Sequence, residues 1–243
     1  MQSWYQPLEA FVSLGSQHRG AGGLAGLHQA RAEHLAQFFT PKAVARIMWD
    51  LTAPAMARAR EGRGADPRVA LFDNSVGSGR LFQFASPDLH TLAGCDIHGP
   101  SVAALSREAE TAGFRCDFVE APMQDVRPGH YNVALINPPF SIHLDSPNVE
   151  PFECNTYGRF GEKSACPSHV YALAQALDHA SVVVALVPST FADRILAEEF
   201  FNSRLRLILD LPADAFTAEG AEVATSIAVF DAFSGQGWTR EKT

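Results

Sequence analysis

Seven short apolar runs alternate with longer stretches of helical periodicity over most of the chain. The runs are Arg68 to Asp73, His90 to Asp96, Phe114 to Ala121, Tyr131 to Ile136, Ser181 to Val187, Arg206 to Leu211 and Ala224 to Phe230. Runs of this length bounded by turn residues predict buried strands. Between them, Pro100 to Ala112 reads as a helix, with Val102, Ala103 and Leu105 on one side and Arg107, Glu108 and Glu110 on the other. Further helices are predicted from near Arg80, over Ser168 to His179, and over Phe191 to Asn202. Strands alternating with helices imply an α/β fold with a doubly wound, mostly parallel sheet.

Ahead of the sheet, glycines punctuate residues 1 to 28, so loop with short helical pieces is expected there. A helix is predicted over His28 to Phe38 and another over Lys42 to Arg60. Thr40 fits the N-cap and Pro41 the first helical position of the second. Ser141 to Pro167 is long for a loop in a compact domain. It carries Tyr157, Arg159, Phe160 and Lys163, an aromatic and basic mixture that suits either nucleic acid or an ordinary surface loop.

Composition narrows the class. The chain has 243 residues, 47% hydrophobic and 19% charged, which suits one domain, or one domain with a small appendage. No apolar run is long enough to span a membrane. The four cysteines, Cys95, Cys116, Cys154 and Cys166, form no CxxC pair and read as thiols of a cytoplasmic protein. His143, Cys154, Cys166 and His169 match no familiar zinc spacing, so no metal is expected. A formal net charge of -8 means that any grip on nucleic acid must come from a local basic face or from a partner.

Three strand ends carry candidate chemistry. Asn137-Pro138-Pro139-Phe140 follows the fourth run. Two prolines cannot donate to a ladder, so the strand stops and presents a polar amide, carbonyls and a ring. Ligands of open α/β sheets bind at such carboxyl ends, although a rigid turn alone would look the same. The first strand runs into Asp73-Asn74-Ser75-Val76-Gly77-Ser78-Gly79. Its glycines allow a tight turn and a close ligand, but it is neither a P-loop nor a GxGxxG loop. The second strand ends at Asp96-Ile97, about 20 residues on, where an acidic residue binds ribose hydroxyls or caps a helix.

In this order the motifs resemble those of S-adenosylmethionine-dependent amino-methyltransferases. From about Phe38 to Phe230 the chain is similar to N6-adenine DNA methyltransferases, above all the modification subunits of type I restriction systems and related phage and plasmid methylases. Phe39-Thr40-Pro41 resembles the family's N-terminal cofactor motif, Val184 to Pro188 its fifth-strand segment, and Thr225 to Phe230 its last strand, after the loop Phe216 to Val223. The resemblance implies a Rossmann-like class I methyltransferase, its sheet seven-stranded with the last strand antiparallel. Residues 1–40 would be an N-terminal segment and 41–243 the catalytic domain.

It also implies roles. Asp73, Ser75, Gly77 and Gly79 would line the methionine side of the cofactor, and Phe39 and Thr40 belong to the motif that holds its carboxylate. Asp96 would bind the ribose and Ile97 pack on the cofactor's adenine. Asn137 and the Pro138 carbonyl would accept hydrogen bonds from the target amino group, with Pro139 stiffening the turn and Phe140 stacking on a base flipped from duplex DNA. The family often places a carboxylate near the end of the third strand; Asp117, Glu120 and Asp125 are the candidates here. The chain after Phe230 is too short for a target-recognition domain, so a DNA-specificity domain or subunit is expected elsewhere. Two other readings keep the cofactor: a methyltransferase acting on RNA or a protein glutamine amide, and a subunit inactive without its specificity partner.

Overall fold

The computed structural model describes residues 40–61, 67–140, 142–144, 166–216, 223–233 and 237–242. The expected helix over His28 to Phe38, Phe39 itself and the aromatic-basic part of the Ser141 to Pro167 insertion lie outside the described residues.

Helix α1 (Lys42–Glu61) precedes the sheet. Its first intrahelical bond runs from the Ala45 N–H to the Pro41 carbonyl, 2.9 Å, which makes Pro41 the capping position. The expectation of a Thr40 cap is therefore corrected, because the Thr40 hydroxyl meets the Asn137 side chain instead, 2.9 Å away. Strands β1 (Val69–Asp73), β2 (His90–Asp96), β3 (Arg115–Glu120) and β4 (Tyr131–Ile136) follow, with α2 (Gly99–Thr111) between β2 and β3. A small antiparallel ribbon, β5 (His143–Leu144) with β6 (Cys166–Pro167), joins the two ends of the insertion. Then come α3 (Ser168–His179), β7 (Ala180–Pro188), α4 (Ser189–Ala197), α5 (Glu199–Asn202), β8 (Leu205–Asp210), β9 (Thr225–Asp231) and β10 (Thr239–Lys242).

The main sheet has the order β10-β8-β9-β7-β4-β1-β2-β3. All its pairings are parallel except those of β9, which runs antiparallel to both β7 and β8. Side chains alternate between the two faces, as the pleat requires. Val133 and Leu135 of β4 join α1 and α2 in one core, while Ala134 and Ile136 join α3 and α4 in the other. Strand order reverses between β1 and β4, and their carboxyl ends open a crevice there.

Three expectations are revised. The helix from Arg80 is a single 3-10 turn, Arg80–Phe82, because Gly77 and Gly79 take positive φ and the chain turns again at Ser86 before β2. The helix over Phe191 to Asn202 breaks at Glu198, whose extended backbone (φ -101°, ψ 119°) lets Phe201 turn back onto Phe191 at 5.6 Å. An eighth strand, β10, adds to the edge beside β8; it is polar and exposed along its length, so no apolar run announces it.

Candidate functional site

The carboxyl ends of β1, β2 and β4 meet around a cavity of about 380 Å³. Of the residues singled out from sequence, Thr40, Asp73, Ser75, Gly77, Asp96, Ile97, Asn137, Pro138, Pro139 and Phe140 all line it. Gly79 does not; it sits behind the wall with φ +73°, where an added methyl would stand 2.5 Å from Leu105 Cδ1. Phe39 lies outside the described residues.

The floor is the β1 loop. Asp73 ends the strand, 2% exposed, and its Oδ1 accepts from the Ser75 N–H at 2.9 Å and the Ser75 hydroxyl at 3.3 Å. Burial raises its pKa from 3.8 to about 7; the Ser75 N–H opposes that rise, and the nearby Asp96 adds to it. Gly94 on β2 lets the strands close here, since a methyl group would lie 2.5 Å from the Asp73 carbonyl oxygen. Beneath the floor, burial pushes the Cys95 thiol up to about 12, and its S–H points at the Asn74 carbonyl, 3.4 Å away. Such a thiol is inert as a nucleophile.

Asp96 closes one side with both oxygens. Oδ2 accepts from the Gly77 N–H at 2.8 Å, and Oδ1 accepts from the His98 N–H at the start of α2, 2.9 Å. The carboxylate is thus fixed between the glycine loop and the helix, with lone pairs left for hydroxyl donors. Ile97 stands next to it, 51% exposed, an apolar plate on the cavity wall. None of the three carboxylates considered near the end of β3, Asp117, Glu120 and Asp125, lines the cavity. Glu120 turns over Gly99, where a methyl group would meet its carboxylate at 2.3 Å. Gln124 takes the place on the wall instead.

On the other side, β4 ends at Ile136 and the prolines carry the chain out of the sheet. Asn137 Nδ2 donates to Thr40 Oγ1 at 2.9 Å, and Arg80 donates to the Thr40 carbonyl at 2.9 Å. The Pro139 carbonyl accepts from the Ser168 hydroxyl at 2.5 Å, which pins the turn to the start of α3. Phe140 meets His169 edge to face at 6.1 Å, and His169 in turn meets Phe191 at 5.0 Å.

Several contributors gave little sequence signal. Gln175 on α3 donates to the Met123 and Val126 carbonyls at 2.8 and 3.2 Å and accepts from Asn74 Nδ2 at 3.0 Å. It ties the β1 loop to the segment after β3. Ser168 and Gln175 lie on a helix predicted for its apolar content, and nothing in spacing marks them. Arg80, directly after the glycine loop, is the one Lys or Arg among the described residues lining the cavity. Among the described residues no cluster of metal-ligating side chains occurs, and no helix is long and apolar enough to cross a membrane.

Comparison with known proteins bears on this geometry. No protein-family model matches the chain. A stretch of 78 residues is 37% identical to an rRNA N6-adenosine methyltransferase of Caenorhabditis elegans; it covers 29% of this chain and 36% of that protein. Among solved structures, one from Listeria monocytogenes described as a class I S-adenosylmethionine-dependent methyltransferase superposes with a TM-score of 0.63, at 14% identity, over 89% of this chain and 71% of that one. A protein of Pyrococcus horikoshii described as an RNA methyltransferase gives 0.51, at 15% identity, over 81% and 88%. The chain therefore has the fold of class I S-adenosylmethionine-dependent methyltransferases.

Proposed function

We propose that this protein transfers a methyl group from S-adenosylmethionine to the N6 amino group of adenine in DNA, with target recognition supplied by another domain or subunit. The observation that carries the reading is the placement of Asn137 and the following prolines on the same cavity as Asp73, Asp96 and the glycine loop. Amino acceptor and nucleoside-bearing cofactor can thus meet in one cavity.

The residues fit S-adenosylmethionine. Fixed and partly satisfied, Asp96 can accept from ribose hydroxyls, and the exposed face of Ile97 suits a purine ring. Asp73 is a buried carboxylate with no cation beside it among the described residues, so it suits an ammonium group. Arg80 supplies positive charge near Thr40 for a carboxylate. When bound, the cofactor supplies an electrophilic methyl group on a sulfonium.

The protein's own task is positioning. The lone pair of an aromatic amine is delocalised into its ring. Asn137 Oδ1 and the Pro138 carbonyl accept the two amino hydrogens and draw them out of plane, which concentrates the lone pair on nitrogen. With Asn137 and the Pro138 carbonyl holding the amine, a bound S-adenosylmethionine would supply the methyl group, its sulfur keeping the electrons of the broken bond, and the amine would lose its surplus proton to solvent. Preorganised dipoles and alignment dominate such a step. The target base needs a shelf, and Phe140, braced by His169, offers one.

One observation favours a second acceptor. The matched stretch of the nematode protein belongs to an enzyme named for rRNA adenosine. Structured RNA is the alternative substrate, with the same residues in the same roles.

Labelled S-adenosylmethionine, unmethylated DNA and structured rRNA, followed by nucleoside analysis, test the proposal. N6-methyldeoxyadenosine supports the DNA reading, and N6-methyladenosine moves the acceptor to RNA. No transfer to either, with and without candidate specificity subunits, would refute it. Asn137→Ala is expected to lose transfer while keeping cofactor binding; unchanged turnover would remove Asn137 from its role.

A further inference from the structure

The sheet lays the polar groups of the cavity out in a row. Its order β4-β1-β2-β3 places Asn137, Asp73, Asp96 and Gln124 after four successive neighbouring strands. Adjacent strands lie about 4.8 Å apart, so the ends of β1 and β3 are separated by about 10 Å. A nucleoside with its amino-acid part at Asp73 and its ribose at Asp96 therefore sends its base toward the segment after β3. Ile97 is the plate under that base, and Pro122 and Met123 add apolar wall.

The polar side chains at this end differ in what they have left to offer. Asp96 is fixed by the Gly77 and His98 N–H groups, and the Ser101 hydroxyl meets His98 Nδ1 at 2.7 Å. Gln124 stands partly buried in the middle of a single 3-10 turn, Met123–Asp125. The backbone of that segment is pinned. Its Ala121 N–H donates to the Asp96 carbonyl at 3.0 Å, its Asp125 N–H to the Pro122 carbonyl at 3.0 Å, and Gln175 holds the Met123 carbonyl at 2.8 Å. The Gln124 amide itself makes no hydrogen bond to a described residue. A fixed turn thus presents to the cavity a side chain whose donor and acceptor are both available.

An amide differs from a carboxylate in one respect that matters here. An ionised carboxylate only accepts, whereas an amide accepts at oxygen and donates at nitrogen. Adenine carries an amino group at C6, and hypoxanthine carries a carbonyl at the same place. Half a turn about the last side-chain bond of Gln124 exchanges its oxygen for its NH2 group, and no described neighbour holds either end.

Resting on the cofactor reading above, we propose that Gln124 determines which purine the cofactor can carry. It reads the substituent at C6, accepting from an amino group and, turned over, donating to a carbonyl. A carboxylate at this place would accept from the amino group and have nothing to donate to the carbonyl.

Calorimetry on the full chain tests this without turnover or nucleic acid. The probes are S-adenosylhomocysteine, S-inosylhomocysteine, and the analogue whose purine bears only hydrogen at C6. The wild type is expected to bind S-inosylhomocysteine within about thirtyfold of S-adenosylhomocysteine. Gln124→Met, of similar length but with neither donor nor acceptor at its end, is expected to weaken both about fivefold, the loss of one neutral hydrogen bond. It leaves the unsubstituted analogue within about twofold, and retained binding of that probe also reports an intact site. If Gln124→Met does not fold, Gln124→Ala gives the same comparison. Three outcomes would overturn the proposal while leaving the cofactor reading in place: unchanged or equal effects on all three probes, a loss for S-adenosylhomocysteine alone, or wild-type rejection of S-inosylhomocysteine beyond that thirtyfold. A wild type that binds none of the three overturns the cofactor reading, and the role of Gln124 with it.

Discussion

Asp73 makes the protein's stability and its ligand binding depend on pH in a specific direction. The group is 2% exposed, and burial, its largest influence, raises its pKa from 3.8 to about 7. The folded state thus holds this proton more tightly than the unfolded chain. The stabilising contribution is complete below pH 3.8 and is lost as pH rises toward 7. At about 1.4 kcal/mol per unit over roughly three units, the ligand-free protein loses about 4 kcal/mol across that window. Asp73→Asn keeps an oxygen for the Ser75 N–H and removes the titration. Urea denaturation of both proteins at intervals from pH 4 to 8 is expected to give curves that meet near pH 4 and separate in favour of the variant by pH 8. Titrating groups remote from Asp73 cancel in the difference; Asp96 and Cys95, which feel its charge, do not. Under the proposed function, cofactor binding would reverse the sense, because an ammonium beside Asp73 would favour the carboxylate. Binding of S-adenosylhomocysteine at pH 6 should therefore release close to one proton, measured by calorimetry in buffers of unlike ionisation heat, and Asp73→Asn should release none. Parallel stability curves, or proton-neutral binding by the wild type, would refute the reasoning.

Three further outcomes follow from residues that do not themselves line the cavity. His90 is buried, with its pKa lowered from 6.5 to about 4 by burial first and Arg60 second. The unfolded chain takes up the proton first, so stability present above pH 6.5 falls by about 3 kcal/mol as pH drops toward 4; His90→Gln is expected to flatten that limb in acid titrations followed by circular dichroism. Gly94→Ala would force a methyl to 2.5 Å from the Asp73 carbonyl oxygen. A loss of at least about 3 kcal/mol is expected in chemical denaturation, at the severe end for overpacking. Arg240 bridges Asp210 at 2.8 Å and Asp193 at 2.6 Å from the edge strand β10. Arg240→Ala should cost less than about 1 kcal/mol globally, yet speed amide hydrogen exchange over Thr239–Lys242.

How much could be read from the chain depends on where its information lies. Buried strands announce themselves because both faces of this sheet are covered, so β4 and β7 read as near-continuous apolar runs. The turn at Pro138 and Pro139 and the glycine loop were legible because backbone constraints are written in proline and glycine. Backbone constraint does not separate Gly79 from Gly77: both take positive φ, and only the fold shows that Gly77 alone faces the cavity. What stayed hidden rests on long-range polar contacts. Thr40 and Asn137 are 97 positions apart in the chain, and only the folded sheet shows that the Thr40 hydroxyl serves an amide and not a helix end. Gln124 replaces the expected carboxylate on the wall, a substitution that no periodicity could signal. Strand β10 was hidden for the opposite reason, being held by an edge ladder and by Arg240 with no apolar face to betray it.

Helix α3 explains how a site built from separate strand ends can stay aligned. Its first residue, Ser168, holds the Pro139 carbonyl at 2.5 Å, and Gln175, two turns on, holds Asn74 and the segment after β3. The turn after β4 and the β1 loop therefore share one rigid body. Its other face is packed into the core through Leu173, Ala176 and Leu177, so neither anchor can move without the helix. An apolar residue at position 175 would pack as well, but it would remove a donor from the Met123 and Val126 carbonyls and an acceptor from the Asn74 amide; the Met123 carbonyl would keep the Val126 N–H and the Asn74 amide the Ala172 carbonyl, so the cost is about 1–3 kcal/mol for a group left unpaired. Polar contacts in this core thus do what apolar ones cannot: they fix the distance between the turn after β4 and the β1 loop, which under the proposed function would have to present an amine and a methyl group within bonding reach.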